Sequence, residues 1–284
     1  MRLLTLLLTV LLTACVQQPE VVEEGRSTAS VNTEAPYLWS NYSASKTLYL
    51  SNNFTDAESQ VMVDMAAAWK TALEDKKTFF NVSSSKIANK ANNINPDLLL
   101  DSTLGIYKLT SWPQDIPEDA LAVTQIFGRR YNAGTSDEFV GIEHADILVN
   151  YQWFAFDPDD VSSDYDGDYD LPTVILHEMG HFLGLGHIPR GEDRTSSVMY
   201  PSITSREVKR TPQGRDILEL AGKYEVNLGS GATNALADSS SARPRIRDND
   251  SGIETRIMME LRASGECVHK VDGSIVSRHK LMKR

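Results

Sequence analysis

The sequence predicts an α+β domain in which a mixed, α/β-type sheet packs against the helix that carries the candidate site. Short segments of alternating apolar and polar residues indicate strands, and capped segments with apolar residues at helical spacing indicate helices among them. The chain has 284 residues, of which 41% are hydrophobic and 24% charged, as in ordinary globular proteins. Wholesale disorder is therefore excluded, and the apolar content is sufficient for a proper core.

The net charge argues against nucleic acid as a partner, and its distribution distinguishes an acidic N-terminal part from a basic C-terminal part. A formal net charge of -11 makes general attraction to nucleic acid phosphates unfavourable. Residues 1–225 carry 18 basic and 32 acidic side chains, whereas residues 226–284 carry 10 basic and 7 acidic ones. We therefore expect residues 226–284 to be a basic low-complexity linker followed by a small subdomain or a mostly disordered segment. Its charge would also suit adhesion to anionic surfaces.

The first 15 residues have the pattern of a secretory signal. Arg2 precedes an apolar stretch over residues 3–12, which is too short to span a membrane. The run Leu12-Thr13-Ala14-Cys15 resembles a bacterial lipobox, which implies that Cys15 is lipidated. Cleavage after Ala14 by ordinary signal peptidase is the alternative, and the bulky Leu12 disfavours it. The same resemblance implies the outer membrane, because Val16 stands where an aspartate is associated with inner-membrane retention.

The segment that follows is expected to be a tether. Residues 16–36 are polar, contain no aromatic residue and show neither helical nor strand periodicity. Once Cys15 is acylated, Cys267 has no partner for an intramolecular disulfide. Stability must then come from packing and from bound ions.

The folded domain is expected to span residues 37–225. Residues 46–52 (KTLYLSN) alternate and predict a strand, and Thr55 with Glu58 forms a capping box that begins a helix. In that helix, apolar residues recur at helical spacing and predict one buried stripe. These residues are Met62, Met65, Trp69 and Leu73.

Further elements follow along the chain. Strands are predicted over residues 78–82, 104–109, 121–127 and, most clearly, 145–151. A helix is predicted over residues 171–185, with Pro172 in its first turn, where a missing N–H is tolerated. The last helix is expected to begin at Thr211-Pro212 and to extend to Tyr224.

An acidic segment precedes the second helix. Residues 157–170 contain seven aspartates, which repel one another unless water or a cation screens them. The spacing around Asp164, Asp166 and Gly167 imitates an EF-hand, but Thr173 stands where the bidentate glutamate is needed. The segment is therefore not an EF-hand, and a solvated loop and a calcium-binding loop remain the two interpretations.

Residues 177–187, HEMGHFLGLGH, carry the chemistry. His177 and His181 are four residues apart on one helix face, so their imidazoles can share a cation. Gly184 supplies the permissive backbone that ends the helix and lets the chain return His187 to the same point. Three neutral imidazoles leave a fourth position open, which is typical of catalytic zinc. Coincidence is a poor explanation for a pattern with so many fixed offsets.

Glu178 lies beside these histidines and is the candidate general base. Zinc lowers the pKa of a bound water from 15.7 toward about 7, and Glu178 can pass that proton to a departing amine. The predicted reaction is therefore peptide hydrolysis by a zinc-bound water. The isolated histidines are assigned no role, because a lone histidine is more often a satisfied residue than a ligand. They are His144, His269 and His279.

The extended motif resembles that of the metzincin zinc endopeptidases, and Ser197-Val198-Met199-Tyr200-Pro201 resembles the Met-turn of matrixins. The resemblance implies a zincin-like catalytic domain with an apolar floor at Met199 and zinc ligands on the three histidines of the motif. Astacins and serralysins place a tyrosine ligand where Pro201 stands, so Tyr200 is not expected to bind metal. The resemblance also implies that substrate pairs with the sheet edge near residues 145–151 and that residues 200–204 wall a side-chain pocket.

Two features of many matrixins are missing from the sequence. No Pro-Arg-Cys-Gly run precedes the domain, so latency by that cysteine switch is not expected. The histidine-bearing loop for a second, structural zinc is also missing, because only His144 lies upstream of the motif. One zinc is predicted, with calcium in the aspartate-rich segment as the candidate replacement for the lost support.

The sequence thus predicts a monomeric zinc endopeptidase that acts on proteins or peptides and is lipid-anchored in a bacterial cell envelope. The alternative is a non-catalytic envelope lipoprotein whose matrixin-like domain binds zinc or a peptide. The intact Glu178 argues against that alternative, because a binding protein has no use for a base there.

Overall fold

A computed structural model describes residues 36–41, 43–92, 95–159, 168–187, 196–228, 245–264 and 266–280. The predicted signal peptide, Cys15 and residues 16–35 of the tether lie outside these ranges. The strands are β1 (Tyr37–Trp39), β2 (Lys46–Leu50), β3 (Phe80–Val82), β4 (Leu104–Leu109), β5 (Ala120–Tyr131), β6 (Phe139–Asn150), β7 (Phe156–Asp157), β8 (Tyr169–Asp170), β9 (Ile253–Arg262), β10 (Glu266–Val271) and β11 (Ser274–Lys280). The helices are α1 (Asp56–Ala72), α2 (Leu171–Phe182) and α3 (Gly214–Lys223), with a short 3₁₀ turn at Pro96–Leu99.

Nine of the strands form one mixed sheet in the order β11-β10-β9-β5-β6-β4-β2-β3, and β1 pairs with β6 beside this path. Four pairs in this sheet are parallel: β1 with β6, β4 with β6, β2 with β4, and β2 with β3. β5 pairs antiparallel with β6, and β9, β10 and β11 continue the antiparallel part. This mixed sheet with a buried helix on it confirms the predicted α+β fold class.

Helix α1 begins at the predicted capping box. The Thr55 side chain accepts from the Glu58 N–H, and the Glu58 carboxylate accepts from the Thr55 N–H at 2.8 Å. The predicted stripe is buried: Met62, Trp69 and Leu73 are fully inaccessible to solvent. Trp69 Nε1 donates to the carbonyl of Leu176 at 3.2 Å, so α1 is joined directly to α2. The predicted capping box and apolar stripe are thus both present in α1, and the stripe packs α1 against α2, which carries the candidate site.

Helix α2 is buried along its entire length, which is unusual for a helix that contains two histidines and a glutamate. Asp170 caps its first turn by accepting from the Thr173 N–H at 3.0 Å, and Pro172 stands in that turn as predicted. Helix α3 begins at Gly214, slightly later than expected from Thr211-Pro212, because Asp216 accepts from the Gln213 N–H at 3.0 Å. Among the described residues, no helix is both long and apolar enough to cross a membrane.

The C-terminal residues differ from the expectation of a separate subdomain or a disordered segment. β9 pairs with β5 from Ile253 opposite Arg130 to Arg262 opposite Ala120, and β10 and β11 extend the sheet beyond it. Ile257, Met259 and Val271 are buried in the same core cluster as α2. The cause is long-range pairing: the apolar run in residues 257–261 finds its partner more than a hundred residues upstream.

Candidate metal centre

The centre is built on α2. His177 and His181 lie one turn apart on its inner face, with ring centroids 4.6 Å apart, and Glu178 lies beside them. All three side chains are completely buried. Because polar groups of this kind are rarely buried without partners, the helix must present them to something other than apolar core.

The chain turns sharply at Gly184 and returns to the centre. The Gly184 N–H bonds to the carbonyl of His181 at 2.8 Å and the Leu185 N–H to the carbonyl of Gly180 at 2.9 Å, which is a Schellman C-cap. Gly184 has a φ of 81°, and a Cβ there would meet the Tyr37 oxygen at 2.3 Å. Glycine is therefore required, as predicted. The turn brings the ring of His187 to 4.7 Å from His181 and 5.4 Å from His177.

Backbone carbonyls determine which ring nitrogens face the centre. His177 Nδ1 donates to the Val198 oxygen at 2.7 Å, and His181 Nδ1 donates to the Leu185 oxygen at 2.9 Å. Because a carbonyl only accepts, each Nδ1 carries the proton and each Nε2 keeps its lone pair. Burial lowers the pKa of His177 to about 4, which keeps this imidazole neutral and able to bind a cation.

A thiol joins the three imidazoles. One ligand atom from each of His177, His181, His187 and Cys267 lies within 4.8 Å of the others. Cys267 is a free, fully buried cysteine in β10. The open fourth position that the motif predicts therefore faces a sulfur in this conformation. Sequence reasoning missed this residue because no spacing rule connects β10 to a motif eighty residues upstream.

The histidine His269, to which the sequence analysis assigned no role, also lies at this centre. Its ring is 4.7 Å from that of His187 and 5.6 Å from that of His181. Side chains two residues apart on a strand project to the same face, so Cys267 and His269 approach the centre together. By contrast, His144 is a satisfied structural residue, because its Nε2 lies 2.7 Å from a carboxylate oxygen of the buried Asp146.

Glu178 is held by a neighbouring strand. The Thr124 hydroxyl in β5 donates to Glu178 Oε2 at 2.5 Å, while Oε1 is buried with no hydrogen-bond partner among the described residues. Burial raises the pKa of Glu178 to about 8, and the hydrogen bond from Thr124 opposes this rise. In the metal-free protein, burial therefore favours the protonated form of this carboxyl group. One oxygen is thus fixed while the other remains available for chemistry.

The predicted Met-turn lies beneath the centre. Met199 is 1% exposed, and its sulfur lies so close to α2 that a Cβ on Gly180 would come within 2.2 Å of it. Asp216 of α3 accepts from the Ser197 hydroxyl at 2.5 Å and from the Val198 N–H at 3.0 Å. Since the Val198 carbonyl in turn accepts from His177, α3 orients a histidine of the centre through the Met-turn.

The expected substrate edge is wrong. β6, which contains residues 145–150, is flanked by β5 on one side and by β4 and β1 on the other, so it offers no edge to an added strand. Alternation in the sequence shows that a strand is buried but not which strand is outermost. β5 is the strand beside Glu178, and β9 pairs along it. In the predicted pocket wall, Ile203 is buried in one cluster with Leu121, Val174 and Leu261 of β9.

The aspartate-rich segment is only partly described. Residues 160–167, including Asp164 and Asp166, lie outside the described ranges, and so the calcium interpretation stays a prediction. Of the remaining aspartates, Asp170 is already engaged, because it caps α2 and accepts from Arg210 Nε at 3.1 Å.

The donor set suits zinc. Histidine nitrogens and a cysteine sulfur are the ligands that zinc prefers, and four of them are grouped here in a buried site. His177 Nε2 is buried with no hydrogen-bond partner among the described residues, which is costly unless a cation is bound. The residues present therefore fit a tetrahedral divalent ion.

Comparison with known proteins bears on the same residues. The family model Peptidase_M10, described as Matrixin, matches residues 44–224, which is more than half of the chain. The match includes α1, α2, the Met-turn and α3 but ends before β9. No curated protein matches the chain.

Proposed function

Because the chain belongs to the matrixin family of zinc metalloendopeptidases, we propose that His177, His181 and His187 bind the catalytic zinc and that Glu178 is the general base. The observation that carries this proposal is the arrangement of α2. His177 and His181 have Nδ1 tied to carbonyls and Nε2 facing the centre, next to a buried carboxyl group. The family acts on peptide bonds, so the substrate is a protein or a peptide.

The side chains divide the work between binding and proton transfer. Zinc at the three histidines would polarise the scissile carbonyl and make the attacking water more acidic. Glu178 Oε1 would take the proton from that water and give it to the departing amine. Thr124 holds the other carboxylate oxygen, so that Glu178 keeps one orientation during both transfers. Met199 supports α2 from below and Asp216 fixes the Met-turn.

We further propose that the protein is lipid-anchored through Cys15 in a bacterial cell envelope, at the outer membrane. This proposal is supported by the sequence of residues 1–16 alone, in which an apolar stretch ends in a lipobox-like run. Radiolabelled fatty acid incorporation into the full chain, compared with Cys15→Ser, would test it. Equal labelling of both chains would contradict the anchor.

The test of the catalytic proposal compares the wild type with Glu178→Gln, which keeps the shape of the side chain and removes the base. We expect both to hold one zinc per chain, and we expect the substitution to lower kcat on denatured casein by about 10²- to 10⁴-fold. His177→Ala should lose the zinc itself. A non-catalytic binding protein would instead hold zinc and leave casein intact in every variant, including the Cys267 variant described below.

A further inference from the structure

The C-terminal strands cover the part of the sheet that adjoins Glu178. β9 pairs with β5 over nearly its whole length, and within this pairing Thr124, the residue that holds Glu178, stands opposite Met259. An extended peptide can bind a protein by adding a strand to a sheet edge. The edge of β5 is already filled by a strand of the same chain, so a substrate could not pair there without displacing β9.

The C-terminal strands β9 and β10, here called the cover, bury their inner face in the core. Ile257 and Met259 share the buried cluster that contains Met179 and Met199 of the metal centre. Leu261 is fully buried beside Ile203, in the segment that the family resemblance assigns to the wall of the substrate side-chain pocket. A leucine of β9 therefore fills space next to that wall, as the side chain of a bound peptide would.

Polar contacts also hold the C-terminal strands to one another. Glu260 is fully buried, and its carboxylate accepts from Arg262 at 2.7 Å and pairs with Lys270 of β10. At the other end, the Asp272 carboxylate accepts from the Arg256 N–H at 2.9 Å. The contacts of Lys270 and Asp272, together with the antiparallel pairing of the two strands, join β9 to β10, so we expect these strands to move together.

β10 places two of its side chains at the metal centre. Cys267 is in register with Leu261 of β9, and its side chain and that of His269 are buried against the histidines of the motif. The sulfur lies within 4.8 Å of a ligand atom of each of those three histidines. A cysteine with three histidines completes a four-ligand set, and such closed sets hold structural zinc and leave no position for a substrate.

From these contacts we propose that the C-terminal strands hold the protease latent, with Cys267 as the fourth zinc ligand and β9 in the place of the substrate strand. This inference rests on the proposed function and concerns its regulation. The Cys267 thiol gives up its proton when its sulfur binds the metal, and takes one back when solvent replaces it. The matrixin family match ends at residue 224, so this block comes from outside the matched domain and from its C-terminal side.

The experiment uses the full chain loaded with Co²⁺ in place of zinc, because a thiolate bound to Co²⁺ gives a charge-transfer absorption that does not depend on turnover. We expect this absorption in the wild type and its loss in Cys267→Ser. The matched control is Val268→Ala, since Val268 is equally buried and adjacent in β10 but projects to the opposite face. It should weaken packing to a similar extent and keep the absorption.

Casein hydrolysis by the zinc-loaded chains supplies the second readout. We expect Cys267→Ser to raise kcat/KM by about tenfold or more over the wild type, because it increases the open fraction of molecules. A wild type without the thiolate absorption would overturn the inference. So would equal, measurable hydrolysis by the two chains, and the proposed function would then stand. If neither chain cleaves casein although the absorption distinguishes them, the proposed function fails and the latency fails with it.

Discussion

Met199 leaves no room for a side chain at Gly180. A Cβ on Gly180 would lie 2.2 Å from the Met199 sulfur, and 3.1 Å from both the Met199 methyl carbon and a ring carbon of Trp69. The glycine in the middle of α2 is therefore the position at which the Met-turn and α1 press against the helix that carries the histidines. Helix propensity alone disfavours glycine there, so packing must be the reason for it.

We predict that Gly180→Ala destabilises the protein, because the added Cβ would overlap the Met199 sulfur and press on the ring of Trp69. Overpacking of this kind costs about 1–3 kcal/mol, which chemical denaturation would measure. Gly186→Ala is the control, since a Cβ there meets nothing within 4 Å among the described residues. Equal effects at both positions would show that the contact with Met199 is not responsible.

The second prediction concerns Asp216, which accepts from Ser197 and Val198 of the Met-turn and from Gln213. Asp216→Asn replaces one of the two acceptor oxygens with an NH2 group, which then faces a donor. We expect zinc affinity to fall by about 10- to 100-fold, because Val198 no longer holds His177 in place. Competition with a fluorescent chelator would measure this. The exposed Asp115 provides the control substitution, and loss of affinity in Asp115→Asn as well would contradict the assignment.

Metal removal gives the third prediction. A ligand that binds only the folded state stabilises it, by about 4 kcal/mol at a thousand times its dissociation constant. Excess chelator should therefore lower the Tm of the wild type. His177→Ala should show a much smaller response, whereas His144→Gln, which alters a histidine outside the centre, should respond as the wild type does. An unchanged Tm in the chelated wild type would mean that no tightly bound ion supports the fold.

The fourth prediction is a pH dependence of the metal-free chain. Burial raises the pKa of Glu178 from 4.5 in the unfolded chain to about 8 in the folded one. The folded state therefore binds more protons between these values, and its stability falls as pH rises from about 5 to 8. The Tm in excess chelator should decrease more over this interval in the wild type than in Glu178→Gln. All other groups, His177 included, are common to both chains, so parallel curves would contradict the shift.

The features that the sequence predicts well are those with local causes. The capping box of α1, its buried stripe and the bounds of β4 depend on residues within a few positions of one another. The motif on α2 and its glycine turn are likewise local, so the convergence of His177, His181 and His187 follows from spacing. The start of α3 was displaced by the Asp216 contact with Gln213, which also is local but concerns a side chain and not a pattern.

What the sequence could not supply was strand order. The run at residues 253–261 contains several apolar residues, but nothing within it indicates that it pairs with β5. Because the strand order was unknown, the substrate edge was predicted at β6, and Cys267 and His269 were assigned no role at the metal centre. The role of each of these residues depends on contacts with residues that are distant in sequence, and those contacts are determined by tertiary packing as a whole.

Because β9 and β10 follow the histidine motif in the chain, they are synthesised after it. All three histidines of the motif leave the ribosome eighty residues before Cys267 does, an interval of roughly 4–16 s at usual rates of synthesis. A nascent chain that stalls within this interval has every metal ligand of the motif but none of its covering strands. Under the proposed latency, a chain that ended after α3 would carry the three histidines without the thiol that closes the centre.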